Sequence, residues 1–431
     1  MTDFILTNGR TLGDSKIDIE ISDGMIDRVV PAGDGDPERF DADQHYDAGG
    51  RLVTPPLIEP HTHLDSALIG GDPYWNRSNT LEEGWRRWTE IREEITKSEI
   101  KQRARRVIEW FVSFGITRIR THVNSSHPDL TTVEALVELR DELTAVDLQL
   151  VSFPMDSLAG NEAGQQLFES TLEMGVDMVG GVPHKEPTRE RAVEHIEAIV
   201  DMAVAHDCGL DVHIDETDDP QSRCTEVLAT EVDERGIGER TTASHVTALH
   251  SYPNPYADKL IRMIADSGLS VVTNPITNAV LQGRYDDYPR RRGHTRVEEL
   301  KAAGVPVGIG QDNIVDLFNP YGDGDPLKGA FMLAHFAHIN GYEDAGTIWE
   351  LLTTDNAAVY GIDSDSYGLV EGNEGSLVVY DQQEPFDVLR TQGPRSLVVS
   401  EGTVLARSTL DATVSLDGTL TPVDYSRSFD R

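Results

Sequence analysis

The sequence predicts an α/β protein in which a (β/α)8 barrel carries a small β-domain built from both ends of the chain. Short apolar runs alternate with long amphipathic stretches through the middle of the sequence, and short alternating strand patterns occur near both ends. Strands that alternate with helices favour parallel βαβ units, and eight units over about 260 residues match a barrel. At 431 residues the chain is long enough for a large domain and a smaller one.

Eight apolar runs predict the barrel strands, because each has the length of one buried strand. They are Val53–Glu59, Ile116–Val123, Leu148–Pro154, Asp177–Val182, Gly209–Asp215, Thr241–Thr247, Leu269–Pro275 and Val305–Asp312. The helical patterns between and after them are Ser98–Phe114, Thr131–Thr144, Ala163–Met174, Arg189–His206, Pro255–Ser267, Arg296–Ala303, Lys328–Ile339 and Tyr342–Thr353. Residues 70–97 form a longer connection with three tryptophans, which is either a lid or a packed helix.

The two ends of the chain predict the small domain, which we expect to be a β-sandwich. Asp23-Gly24 and Glu401-Gly402 are typical of tight turns between paired strands. The predicted strands are Phe4–Thr7, Lys16–Ser22, Met25–Pro31, Ser376–Tyr380 and Ser396–Arg407. We therefore expect residues 1–52 and 366–431 to form this domain and residues 53–365 to form the barrel.

The composition restricts the class of protein. The net charge is −38, with only 7 lysines against 30 arginines. A nucleic-acid-binding surface is basic, so we expect no such partner. Lysine-poor acidic chains resemble proteins of halophiles, in which a Debye length of about 3 Å at 1 M salt screens self-repulsion. No apolar run is long enough to span a membrane, and the first residues lack a signal-peptide pattern. The two cysteines form no CxxC motif. We therefore expect a cytoplasmic protein without a membrane partner.

The segment Leu57–Asp65 contains the most informative motif. It is an apolar run that ends in His61 and His63. Residues i and i+2 of a strand point to the same side, so both imidazoles can face one point. Imidazole binds zinc, iron and similar metals, although two histidines at this spacing also occur in chains without a metal.

Polar residues follow several other predicted strands at the end where barrel enzymes place their chemistry. The fifth run ends in His213, with Glu216 shortly after, the sixth ends in His245 and the eighth ends in Asp312 and Asn313. Each alone could be a helix-capping aspartate or a hydrogen-bonded core histidine. Together, three neutral histidines and a carboxylate would hold a divalent metal, which lowers the pKa of bound water from about 15.7 to about 7. Glu216 is then placed to act as general acid and base, and His245 to orient the water.

With these motifs the chain resembles the amidohydrolase superfamily, and within it the bacterial cytosine deaminases. Six segments show the resemblance: Pro55–Asp65, Thr121–Val123, Asp211–Glu216, Asp219–Arg223, Thr242–His245 and Leu281–Arg284. The resemblance implies a distorted barrel, one Zn or Fe(II) ion, a small heterocyclic substrate and a possible homo-oligomer. It implies the ligands His61, His63, His213 and Asp312, and the catalytic residues Glu216, His245 and Asp312. No lysine directly ends the fourth run, which favours one metal over two.

The chain departs from that family where substrate is recognised. Met155 stands where the family has a glutamine, Asn313 where it has a second aspartate and Phe318 where it usually has tryptophan, whereas Leu81 is kept. Methionine offers only a weakly accepting sulfur and no donor. We take these four residues as the substrate-binding set.

The predicted activity is therefore metal-dependent hydrolytic deamination of an amino-heterocycle, with cytosine as the first expectation. The alternatives are another cyclic amidine or amide, such as isocytosine, 5-methylcytosine or an amino-triazine. A barrel that has lost catalysis is a second class of protein, and it would have a broken ligand set.

Overall fold

The (β/α)8 barrel is confirmed. The computed structural model describes residues 3–71, 73–126, 129–423 and 425. One sheet contains eight parallel strands in chain order: Leu57–Thr62, Ile116–Asn124, Asp147–Phe153, Met178–Gly181, Gly209–Ile214, Thr241–His245, Ser270–Thr273 and Val307–Ile309. The first strand is bridged to the segment after the eighth at Thr62 and Asp312, which closes the barrel.

Helices surround the barrel, and several begin with clear capping chemistry. The pattern Ser98–Phe114 becomes the helix Lys97–Ser113, where Thr96 and Glu99 form a reciprocal capping box. The other α-helices are Leu81–Ile91, Thr131–Glu142, Glu162–Glu173, Arg189–Ala205, Cys224–Arg235, Asn254–Ser267, Pro275–Leu281, Val297–Ala302, Pro326–Phe336, Ala345–Leu352, Thr354–Tyr360 and Pro385–Thr391. The short 3-10 helices are Pro37–Arg39, Pro183–Lys185, Gly238–Arg240, Thr247–Ser251 and Ser364–Ser366. None of the described helices is long and apolar enough to cross a membrane.

Two four-stranded sheets from the ends of the chain pack on each other around an apolar cluster that includes Phe4, Ile19, Leu377 and Val399. The first sheet consists of Phe4–Arg10, Lys16–Ser22, Met25–Pro31 and His45–Asp47. The second consists of Val53–Thr54, Leu377–Tyr380, Arg395–Ser400 and Thr403–Arg407, and a separate ribbon pairs Thr413–Val414 with Thr421–Pro422.

Both predicted hairpin turns have the backbone that their sequences favour. Asp23 and Gly24 have φ of 54° and 80°, and Glu401 and Gly402 have φ of 47° and 74°. Two consecutive positive φ angles are the type I′ pattern, whose twist matches that of paired strands.

The structure divides one predicted run into two strands. Val53–Thr54 pairs antiparallel with Leu377–Tyr380 in the second small sheet, and only Leu57–Thr62 joins the barrel. Pro55 and Pro56 separate the two pieces, and proline cannot donate to a sheet ladder, so they interrupt the pairing. The division of the domains at residues 53 and 365 stays a prediction.

Candidate metal centre and active site

Four side chains converge at the carboxyl end of the barrel strands. They are His61 and His63 from the first strand, His213 from the fifth and Asp312 after the eighth, and one donor atom from each lies within 4.8 Å of all the others. The His63 and His213 Nε2 atoms are 3.1 Å apart, and Asp312 Oδ1 lies 3.3 Å from His63 Nε2 and 3.6 Å from His61 Nε2. The spacing of i and i+2 on one strand therefore brings two imidazoles to the same point, as the sequence predicts.

Closure of the barrel places the aspartate. Asp312 donates its backbone N–H to the His61 carbonyl at 2.8 Å and accepts from the His63 N–H at 3.2 Å. Its φ is 59°, and His245 has φ of 72°, a conformation that is uncommon outside glycine. Left-handed backbone at two candidate site residues is typical of functional positions, where the surrounding structure holds the strain.

The donor set fits a divalent cation. Metal–nitrogen bonds of about 2.0–2.1 Å in a tetrahedron put neighbouring donors about 3.3 Å apart, and the measured separations of 3.1 to 3.6 Å lie around that value. His61 Nε2 is buried, and none of the described residues forms a hydrogen bond with it. Burial lowers the pKa of His61 and of His213 well below the usual value, so both imidazoles are neutral and can offer a lone pair.

Glu216 and His245 lie beside this cluster and share a polar neighbour. Glu216 Oε1 is 3.6 Å from His245 Nδ1, and Asn278 Nδ2 lies 3.0 Å from that nitrogen and 3.5 Å from the carboxylate oxygen. Within the described ranges, no lysine or arginine forms an ion pair with Glu216. Burial, together with the charge of Asp312, raises the pKa of Glu216 well above its usual range, and burial lowers the pKa of His245 to about 4.

All four predicted substrate-binding residues line one pocket above the cluster, a narrow cavity of about 40 Å³. They are Leu81, Met155, Asn313 and Phe318, and the pocket also contains Glu216, His245 and Asp312. A wider vestibule shares Leu81, Trp85, Glu216 and Leu281 with the pocket and leads outward.

The long connection after the first strand forms a wall of this pocket as a helix, Leu81–Ile91. Trp85 and Trp88 of that helix line the pocket. The helix docks closely, since a Cβ on Gly84 would lie 2.4 Å from a ring carbon of Phe318. Of the two interpretations of residues 70–97, the packed helix therefore describes this part of the connection.

Hydrogen bonds hold the two unusual pocket residues in place. The Met155 sulfur accepts from Asn124 Nδ2 at 2.9 Å, and its backbone carbonyl accepts from Lys185 Nζ at 2.5 Å. Asn313 Nδ2 donates to Asp316 at 2.7 Å, and burial raises the pKa of that carboxyl to about 6. The Asp316 carboxyl group thus lies beside Asn313. It comes three residues after the position at which the resembled family has its second aspartate.

Sequence reasoning missed several polar residues around the centre. Asn278 contacts Glu216 and His245, and His122 packs against His61 and His213 with ring centroids 4.2 Å and 4.5 Å apart. Asp211 lies two residues before His213 on the same strand. Polar residues at alternate positions of otherwise apolar barrel strands are the signal that could have identified His122 and Asp211.

Comparison with known proteins supports one family. A model of the amidohydrolase family matches residues 80–406. The crystal structure of 5-methylcytosine deaminase from Klebsiella pneumoniae liganded with phosphonocytosine superimposes with a TM-score of 0.91 at 36% identity, over 96% of this chain and 100% of that one. N-isopropylammelide isopropyl amidohydrolase of a Pseudomonas species is 28% identical, over 84% of this chain and 87% of that protein. Pterin deaminase of Rhizobium rhizogenes is 28% identical, over 92% and 89%.

Proposed function

The chain belongs to the amidohydrolase family, and from that premise we propose that it is a metal-dependent hydrolytic deaminase of amino-heterocycles, with cytosine and 5-methylcytosine as preferred substrates. The observation that carries this proposal is the meeting of His61, His63, His213 and Asp312 beside the buried Glu216–His245 pair. A narrow pocket opens onto His213, Asp312 and the Glu216–His245 pair.

The metal would be held by the three histidines and Asp312, and Zn or Fe(II) suits this donor set. When bound, a divalent ion supplies an acidified water as nucleophile at neutral pH. Burial leaves His61 and His213 as neutral imidazoles, the protonation state that metal binding requires.

Glu216 and His245 would carry the proton transfers. Deamination adds water to the ring carbon that bears the amino group, moves protons to a ring nitrogen and to the leaving amine, and releases ammonia. No lysine or arginine among the described residues forms an ion pair with Glu216, and burial raises its pKa, so the carboxyl group can both give and take a proton. Asp312 accepts a proton from the attacking water, and neutral His245 hydrogen-bonds to the oxygen as charge develops there.

The pocket favours a ring with an apolar edge. Met155 contributes a thioether where the resemblance leads us to expect an amide, and its sulfur accepts a hydrogen bond from Asn124, which lines the same pocket. A methyl group on the pyrimidine contacts such a wall without leaving a buried polar group unpaired. The 36% identity to the Klebsiella enzyme supports 5-methylcytosine on independent grounds.

An N-substituted amino-triazine is a second candidate substrate. The N-isopropylammelide hydrolases are relatives, and the vestibule that continues from the pocket past Trp85 and Leu281 offers room for an N-alkyl group. This substrate would be attacked at the same position relative to Glu216.

An ammonia-release screen tests the proposal. The purified, metal-loaded protein is assayed in high potassium chloride with cytosine, 5-methylcytosine, isocytosine, amino-triazines and creatinine. We expect the highest kcat/KM on the two cytosines. A protein that holds one equivalent of metal and releases ammonia from none of these compounds would contradict the proposed function.

A further inference from the structure

A chain of buried polar side chains runs beneath the candidate metal centre and ends on His61. The His61 Nδ1 atom lies 2.9 Å from Ser244 Oγ, Ser244 Oγ lies 2.7 Å from Asp211 Oδ1, and Asp211 Oδ2 lies 2.9 Å from Arg120 Nη1. All four residues are 2% exposed or less. They come from the first, sixth, fifth and second barrel strands, so the chain crosses the barrel interior.

Arg120 anchors this chain to the barrel. Its guanidinium donates to Gln149 at 2.6 Å, to Thr242 at 3.0 Å and to the Val359 carbonyl at 2.7 Å, in addition to its ion pair with Asp211. Because its four acceptors lie in different directions, the guanidinium group is held in a single position. The Asp211 carboxylate that it holds is therefore equally fixed.

The donors and acceptors of the chain determine which nitrogen of His61 carries the proton. Asp211, paired with Arg120, can only accept, so the single hydroxyl proton of Ser244 is donated to it. Ser244 Oγ then accepts from His61, which requires the proton on Nδ1. The other nitrogen, Nε2, is left with a lone pair that faces Asp312 Oδ1 at 3.6 Å.

The His213 imidazole has no equivalent support. Its Nδ1 atom is buried and has no hydrogen-bond partner among the described residues. Ser244, Asp211 and Arg120 do not line the pocket, so none of them can contact a substrate there. Their hydrogen bonds connect them to the candidate metal centre through the imidazole of His61.

We infer that Ser244 and Asp211, held by Arg120, are positioning residues that fix the tautomer and orientation of His61 so that Nε2 can bind the metal. This inference rests on the proposed metal-dependent function. Partners of this kind on the far nitrogen of a ligand histidine typically change metal affinity by about 10–100-fold.

The test is the Zn²⁺ affinity of Ser244→Ala, measured by competition with a chromogenic chelator. Ser152→Ala is the matched control, because Ser152 is equally buried in a barrel strand but is hydrogen-bonded to Thr171. We expect Ser244→Ala to bind Zn²⁺ about 10–100-fold more weakly than wild type and Ser152→Ala to bind within about twofold. Nitrogen NMR of the metal-free protein should show His61 protonated on Nδ1 in wild type, with this preference lost only in Ser244→Ala.

A second variant tests the direction of the hydrogen bonds. In Asp211→Asn the introduced amide can donate to Ser244, which turns the hydroxyl toward His61 and forces the imidazole proton onto Nε2. We expect a loss of Zn²⁺ affinity at least as large as in Ser244→Ala. Asp211→Asn leaves Arg120 buried without its charge partner, and this could prevent folding. If Asp211→Asn does not fold, the result for Ser244→Ala alone tests the inference.

The outcomes separate this inference from the proposed function. Wild-type affinity in Ser244→Ala, or an equal loss in Ser152→Ala, would overturn the positioning role and leave the metal site standing. A wild-type protein that binds no Zn²⁺ would overturn the proposed function as well.

Discussion

Glu216 offers the sharpest test of the proposed chemistry, through the substitution Glu216→Gln. The side chain is 5% exposed, and burial, together with the charge of Asp312, raises its pKa well above the usual range. Burial penalises the ionised form of this carboxyl group, and glutamine has the same shape and the same charge as the protonated form. The oxygen of the amide can still accept the hydrogen bond from Asn278.

The expected magnitudes follow from this geometry. Glu216 is not one of the four proposed metal ligands, so we expect metal content to stay at the wild-type level. The melting temperature should change little, because glutamine fills the same volume and leaves no cavity. A general acid and base contributes about 10²–10⁴-fold, so kcat should fall by that factor, equivalent to about 3–5 kcal/mol of barrier.

The assay combines ammonia release, metal analysis and thermal melting on the same preparation. Glu82→Gln is the control, since Glu82 lines only the vestibule, and its kcat should stay within about twofold of wild type. A metal-loaded Glu216→Gln protein that keeps kcat within about tenfold of wild type would refute the assigned role.

Four further outcomes are expected. His213→Ala should lose metal and turnover together, and an active, metal-loaded variant by metal analysis would remove this residue from the ligand set. Met155→Gln should raise kcat/KM for cytosine relative to 5-methylcytosine by about 5–100-fold, because a newly paired buried polar group is worth about 1–3 kcal/mol; an unchanged ratio would show that Met155 does not determine selectivity. Burial lowers the pKa of His122 well below 6.5 in the folded protein. As the pH falls below 6.5, the unfolded chain therefore binds a proton at His122 and the folded chain does not. The free energy of unfolding then falls by up to about 1.4 kcal/mol per pH unit because of His122. In denaturant titrations of the metal-free proteins, the free energy of unfolding of His122→Phe should therefore rise relative to that of wild type as the pH is lowered from about 6.5 to about 5.5. Parallel plots of unfolding free energy against pH for the two proteins would contradict this. Raising potassium chloride from about 0.1 M to about 1 M should increase the melting temperature, because it screens a net charge of −38, whereas a flat response would argue against a salt-adapted surface.

Local patterns in the sequence were sufficient for most of the architecture. The eight apolar runs correspond to the eight barrel strands, and the two turn dipeptides have the positive φ angles that their residue types favour. These features depend on neighbours a few residues apart, so periodicity and turn chemistry report them directly. The same dependence on near neighbours explains why Val53–Glu59 was wrongly predicted as a single barrel strand. A continuous apolar run does not show that its first residues pair with a strand more than 300 positions later.

The spacing of His61 and His63 by itself places two imidazoles on one side of a strand, and the polar residues after three other runs mark the candidate site. Only the tertiary structure decides how these groups meet. Barrel closure brings the Asp312 backbone onto His61 and His63, and the strand stagger aligns Arg120, Asp211 and Ser244 behind His61. Such contacts join residues separated by up to 250 positions, and no local periodicity encodes the distance between two side chains on different strands.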